Sequence, residues 1–85
     1  MLLLDGLVKV RLSRIGSKKN AIYRVVVADI RAPRDGKYLE RIGLYDPNLA
    51  PPRFGIDRQR YDYWIGVGAR PTHIVEKLVL KSETA

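Results

Sequence analysis

The stretch VKVRLSR, residues 8–14, decides the fold class of this 85-residue chain. Apolar and polar side chains alternate along it with a period of two, which is the period of an extended strand. The apolar residues then share one face, while Lys9 and Arg11 share the other. The pattern predicts a strand over about residues 7–12, with one face in a core and a row of cations on the other face.

Further strands follow in the first half of the chain. Residues 13–20 are polar and basic and predict a loop. Residues 23–28 (YRVVVA) are apolar on both faces, which is typical of a central strand covered on both sides. A turn signal at residues 35–36 separates them from a third predicted strand at 38–45, so the two strands form a hairpin with a wide basic loop. Residues 54–56 predict a short additional strand.

The second half changes to helical periodicity. Asp57 is a favourable N-cap for a first helix, with Gly68 just past its end. Thr72 is the predicted cap of a second helix. The apolar stripes that define the two helices are Tyr61, Trp64, Ile65 and Gly68 in the first, and Ile74, Val75, Leu78 and Val79 in the second. We therefore predict an α+β fold, a small mainly antiparallel or mixed sheet of three to five strands with two short C-terminal helices packed on one face.

Length and composition limit the possible classes of protein. We expect residues 1–85 to form a single domain, with residues 1–7 as an N-terminal extension of unassigned role and residues 81–85 as a flexible tail. The chain contains no cysteine, which excludes a disulfide framework, a thiolate nucleophile and a zinc ribbon. No apolar run approaches the length of a membrane span, so we expect a soluble protein without a membrane partner.

Positive charge is concentrated in the first half of the chain. The formal net charge is +7, from 16 Lys and Arg against 9 Asp and Glu. Residues 1–45 hold ten of these cations and four of the acids, a net of +6, whereas residues 46–85 carry only +1. Such asymmetry is the electrostatic footprint expected of a nucleic-acid-binding protein.

Other functions fit the charge as well. The cations could serve only to keep the protein soluble. Alternatively, they could bind DNA or an acidic protein partner. A magnesium-dependent nuclease would need carboxylates, for which Asp29, Asp35 and Glu40 are candidates, although ion pairs and turn hydrogen bonds explain each of them. His73 is the only histidine and the serines have no recognisable base partner. We therefore predict no catalytic residues, no metal and no cofactor.

The sequence also resembles a known family, small-subunit ribosomal protein sixteen from bacteria and organelles. The resemblance is collinear over about residues 8–80, and these segments carry it: VKVRLSRIGSK (8–18), YRVVVAD (23–29), PRDGKY (33–38), ERIGLYDP (40–47), YW (63–64) and GARPT (68–72). It departs from the family at Ala21, where a proline is usual, and at His73, where an acid is common.

The resemblance implies a structural, non-catalytic role. A member of this family would bind small-subunit ribosomal RNA during assembly, beside neighbouring small-subunit ribosomal proteins and with no small-molecule substrate. Its location would be the ribosome of the bacterial cytoplasm, the mitochondrial matrix or the chloroplast stroma.

The candidate RNA-binding residues combine cations, small loop residues and one aromatic. Arginine binds phosphates bidentately or stacks on bases, and glycine lets backbone approach RNA, although turn geometry explains a glycine as well. Tyr23, and also Tyr38, could stack on unpaired bases or pack as strand residues against the core. The predicted set is Lys9, Arg11, Arg14, Gly16, Ser17, Lys18, Lys19, Tyr23, Arg24, Arg31, Arg34, Lys37 and Arg41.

Overall fold

A computed structural model describes residues 6–32 and 37–84 of the chain. The chain forms one sheet and two helices, and both helices lie in the C-terminal part of the sequence. In chain order they are β1 (Val8–Gly16), β2 (Ala21–Asp29), β3 (Glu40–Asp46), β4 (Arg53–Ile56), α1 (Arg58–Gly66), β5 (Arg70–Pro71) and α2 (His73–Thr84).

The five strands form one mixed sheet in the order β4-β3-β2-β1-β5. Neighbours from β1 to β4 pair antiparallel, as hairpins joined by short or moderate connections do. The short β5 instead pairs parallel with β1, because the chain passes through α1 from one edge of the sheet to the other. The predicted α+β class, with a mixed sheet and two C-terminal helices, is confirmed.

Strand boundaries differ from those predicted. β1 continues to Gly16, four residues beyond the predicted end, because its pairing with β2 is unbroken as far as Gly16 opposite Ala21. The predicted loop at residues 13–20 is therefore wrong over its first half, and only residues 17–20 connect the two strands. β3 begins at Glu40 and not at residue 38.

The core lies between the sheet and the two helices. The alternating residues Val8, Val10 and Leu12 of β1 are buried together with Val75 and Val79 of α2, and Tyr61 of α1 belongs to the same cluster. In β2 all four residues from Val25 to Ala28 are at most 1% exposed. The prediction that β2 is covered on both faces is thus confirmed for residues 25–28, whereas Tyr23 and Arg24 are only half-buried.

A β-bulge lies between β2 and β3. Val25 pairs with Gly43 and Val26 pairs with Arg41, so Ile42 is the extra residue on β3. The Ile42 side chain is buried in the core cluster. Gly43 sits where a Cβ atom would lie 2.5 Å from the Gly55 carbonyl oxygen, so the close approach of β4 requires glycine there.

The ends of α1 follow the predicted chemistry, whereas the start of α2 does not. Asp57 caps α1 by accepting a hydrogen bond from the Arg60 backbone N–H, and Gly68 beyond its end has a φ of 109°. α2 begins directly after Thr72, as predicted, but the Thr72 hydroxyl is buried with no hydrogen-bond partner among the described residues and so does not cap the helix. Ile74 is also wrongly placed in the apolar stripe, since half of its surface is exposed.

Both ends of the described chain join the fold. The Gly6 N–H donates to the Gly68 carbonyl, and the Leu7 carbonyl accepts from the Ile30 N–H. Gly6 and Leu7, which belong to the predicted extension, are therefore tied to the domain. α2 continues through Thr84, into the segment expected to be a tail. Among the described residues, no helix has the length and apolar character needed to cross a membrane.

Candidate nucleic-acid interface

One face of the sheet carries four of the predicted cations, and we call it the basic face. Strand alternation places Lys9 and Arg11 on the side opposite the core residues of β1, and Arg24 on the side opposite Val25. Arg41 joins them because it pairs with Val26 on the same side. The basic face is therefore the sheet face opposite α1 and α2, defined by Lys9, Arg11, Arg24 and Arg41.

Two arginines flank a buried apolar residue on this face. Val26 lies between Arg11 of β1 and Arg41 of β3, yet it is only 1% exposed. Long aliphatic stems can shield such a residue while the charged ends stay near water. The Arg11 guanidinium also donates to the Ala32 carbonyl at 3.0 Å, which holds the segment after β2 against β1. Arg11 therefore has a structural contact in addition to its charge.

The other three cations of the basic face differ in exposure. Lys9 and Arg41 are exposed and can approach a polyanion directly. Arg24 is half-buried, and its Nε atom is buried with no hydrogen-bond partner in the part of the chain that the structure describes. The charge of Arg24 is not neutralised by any ion pair found within the described ranges.

The connection between β1 and β2, residues 17–20, forms a compact basic hairpin tip. Arg14 organises it by donating to the carbonyls of Ser17 and Lys18, at 3.2 and 3.1 Å. Ser17 accepts from the Asn20 N–H through both its carbonyl and its hydroxyl. Lys18 and Lys19 are exposed at the tip. The predicted loop cations are therefore held on a defined turn.

Gly16 meets a backbone requirement of this tip. Its φ is 93°, and a Cβ atom would lie 2.6 Å from the Asn20 carbonyl oxygen. The turn geometry thus requires a glycine at position 16, and this was one of the two explanations predicted for it.

The loop between β2 and β3 is only partly described. Arg31 is exposed and makes a bidentate contact with Asp29 through Nε and Nη2, both at 3.0 Å. The hydrogen bonds from the Arg31 side chain and backbone hold the pKa of Asp29 at about 2. Lys37 is exposed, whereas Arg34 lies outside the described residues.

The two candidate tyrosines have different environments. Tyr23 packs at the margin of the core and its ring is stacked on Tyr45, with 6.1 Å between centroids. Tyr38 precedes β3 and is 40% exposed, so it does not pack as a strand residue against the core. Tyr45 is not among the predicted residues, because its contact with Tyr23 depends on strand register and not on spacing along the chain.

Two of the three carboxylates considered for a nuclease are engaged by cations. Arg60 donates to both oxygens of Glu40 at 2.7 Å, and this hydrogen bonding lowers the pKa of Glu40. Asp29 is occupied by Arg31, and Asp35 lies outside the described residues. Within the described ranges, no three His, Cys, Asp or Glu side chains group closely enough to hold a metal ion.

Comparison with known proteins resolves the family. The model of the family described as "Ribosomal protein S16" matches residues 14–72, from the second half of β1 to the start of α2. The chain belongs to the ribosomal protein S16 family. Members of the S16 family are structural, non-enzymatic components of the small ribosomal subunit, which confirms the resemblance and the prediction that the chain is not an enzyme.

Several bacterial S16 proteins are similar over most of this chain. The small ribosomal subunit protein bS16 of Prosthecochloris aestuarii is 52% identical over 73 residues, which cover 86% of this chain and 54% of that protein. The bS16 protein of Lachnospira eligens is 49% identical over 84% of this chain and 88% of its own length. That of Clostridioides difficile is 48% identical over 88% and 83%. The chain thus spans about half of some relatives and most of others.

Proposed function

We propose that this protein binds small-subunit ribosomal RNA through the basic face and the hairpin tip, and that it supports assembly of the subunit. Its partners would be that RNA and neighbouring small-subunit proteins, in a bacterial cytoplasm or in a mitochondrion or chloroplast. The observation that carries the proposal is the placement of Lys9, Arg11, Arg24 and Arg41 on the sheet face opposite the helices.

The geometry favours phosphate contacts over base reading. The basic face is a broad strand surface with cations spaced across three adjacent strands, and the hairpin tip extends it with Lys18 and Lys19. Double-helical RNA is recognised mostly through its shape and its backbone. Cations spread over adjacent strands lower the electrostatic repulsion between RNA segments that pack against them. The predicted contacts of Arg31, Arg34 and Lys37 would extend the surface along the β2–β3 loop.

The salt dependence of binding tests the proposal. If about six phosphates are neutralised, the logarithm of affinity for a small-subunit rRNA transcript should fall against the logarithm of salt concentration with a slope of roughly −4 to −5. A slope near −1 would contradict the proposal. Duplex DNA at equal nucleotide concentration serves as the competitor that tests for a DNA-binding domain.

A pair of double variants localises the interface. Lys9→Ala with Arg41→Ala removes two exposed cations from the basic face and should make the slope shallower by about 1.5. Gln59→Glu with Leu80→Glu lowers the net charge by the same two units at exposed positions of α1 and α2 and should leave the slope unchanged. Equal effects of the two variants would mean that net charge, and not the basic face, determines binding.

A further inference from the structure

A row of four residues crosses the sheet on the face that carries the helices. Arg14 of β1 pairs with Tyr23 of β2, Tyr23 pairs with Tyr45 of β3, and Tyr45 pairs with Phe54 of β4. The Tyr23 and Tyr45 rings are stacked, and Tyr45 meets Phe54 edge to face at 6.3 Å. We call Arg14, Tyr23, Tyr45 and Phe54 the aromatic row.

A half-open cleft lies over part of this row. Its volume is about 580 Å³, within the range of about 300–1,000 Å³ typical of ligand sites. Tyr23, Tyr45 and Leu12 contribute the sheet side, while Pro47 and Ile74 line it from the following turn and from α2. Pro47 is exposed and Ile74 is 50% exposed, so the walls reach solvent. Tyr23 and Tyr45 are themselves only half-buried, so part of their apolar surface is accessible in the cleft.

The charge around the cleft favours a nucleotide over an apolar peptide. Arg14 stands at one end of the aromatic row and holds the hairpin tip, which carries Lys18 and Lys19, through its two carbonyl contacts. Asp46, next to Tyr45 in β3, lies on the opposite face of the sheet by strand alternation, so its carboxylate does not point into the aromatic row. Aromatic rings next to cations are the combination that binds unpaired nucleotides, since the rings stack on bases and the cations contact phosphates.

We infer that this cleft holds one unpaired base of the small-subunit ribosomal RNA, stacked against Tyr45 and Tyr23, with the flanking phosphates at Lys18 and Lys19. The inference rests on the proposed function and adds a second contact, on the opposite side of the sheet from the basic face. The domain would then hold RNA on both sides of its sheet.

Two cleft variants with matched controls test the inference. Tyr45→Leu removes the ring and should weaken binding of a small-subunit rRNA transcript by about 5- to 150-fold, while Tyr45→Phe keeps the ring and the affinity. Because no cation is removed, the salt slope of Tyr45→Leu should equal that of the wild type. Ile74→Glu places a carboxylate at the exposed wall of the cleft and should also weaken binding. Leu80→Glu makes the same change at a similarly exposed position of α2 and should not.

Chemical probing identifies the occupant. Base-specific reagents on the rRNA complex should reveal a base that the wild type and Leu80→Glu protect and that Ile74→Glu and Tyr45→Leu leave reactive. Unchanged affinity and base reactivity in both cleft variants would overturn the inference while the basic face remained intact. Loss of a neighbouring protein from reconstituted subunits, with RNA binding unchanged, would assign the cleft to a protein segment and also overturn it. Absence of salt-dependent rRNA binding by the wild type would remove the proposed function as well.

Discussion

At the scale of the residue, two glycines on the neighbouring strands β3 and β4 have opposite constraints. A Cβ atom on Gly43 would lie 2.5 Å from the Gly55 carbonyl oxygen and 3.2 Å from the Val25 Cβ atom. A Cβ atom on Gly55 would meet no atom within 4 Å. The same residue type is therefore required by packing at one position and tolerated at the other.

Alanine substitution should separate these two positions. Gly43→Ala forces backbone and core atoms apart and should lower the free energy of unfolding by about 1–3 kcal/mol. Gly55→Ala is the matched control and should change it by no more than about 0.5 kcal/mol. Urea unfolding monitored by Trp64 fluorescence measures both. Equal losses of unfolding free energy in the two variants would show that Gly43 is not packed against β4 as closely as the structure indicates.

At the scale of the element, Arg14 links a strand to the hairpin tip. Arg14→Lys keeps the charge but not the geometry that lets one guanidinium contact the carbonyls of both Ser17 and Lys18. We expect the Asn20 amide, which bonds Ser17 in the tip, to exchange its hydrogen several-fold faster, because the turn opens more often. Global stability should change by less than about 0.5 kcal/mol, since the contacts are exposed.

Hydrogen exchange followed by NMR measures this effect residue by residue. Lys9→Arg is a suitable control, because it also exchanges one cation type for the other on β1 but does not involve the tip. Unchanged exchange at Asn20 in Arg14→Lys, or an equal increase in Lys9→Arg, would contradict the role given to Arg14.

The elements themselves were largely predictable, because each depends on local pattern. Alternation gives β1 its two faces, the apolar run gives β2 its central position, and Asp57 marks the start of α1. The local pattern does not specify which strands pair with each other or in which register. The extension of β1 to Gly16 depends on its partner Ala21, and the bulge at Ile42 depends on register between β2 and β3.

The same limit applies to the candidate site. Cations on alternating positions of β1 can be assigned to a face from the sequence alone, as Lys9 and Arg11 were. The stacking of Tyr23 on Tyr45 and the contact of Arg11 with Ala32 join residues more than twenty positions apart. Such contacts follow from the assembled sheet, so a single sequence gives no signal for them.

At the scale of the whole molecule, the ion pair of Glu40 and Arg60 connects the sheet to α1. Arg60 of the helix holds both oxygens of Glu40 at the start of β3, and the Trp64 indole N–H lies 3.4 Å from one of them. The Arg60 guanidinium also lies over the Tyr63 ring, 4.6 Å from its centroid. These contacts favour the ionised carboxylate, so the stability of the domain depends on its protonation.

Acid should therefore destabilise the domain, and Glu40→Gln should reduce that dependence. Hydrogen bonds from Arg60 lower the pKa of Glu40 in the folded protein, so its stabilising contribution is complete above the unfolded pKa of about 4.3 and is lost as pH falls through the lower folded pKa. Asp29 adds a dependence of the same sign that extends down to about pH 2.

Urea unfolding at intervals between pH 7 and pH 2.5 should show a shallower acid decline in Glu40→Gln than in the wild type. Glu76→Gln, which removes an exposed carboxylate from α2, is the control. Parallel pH profiles for the wild type and Glu40→Gln would mean that the ion pair does not couple protonation to folding.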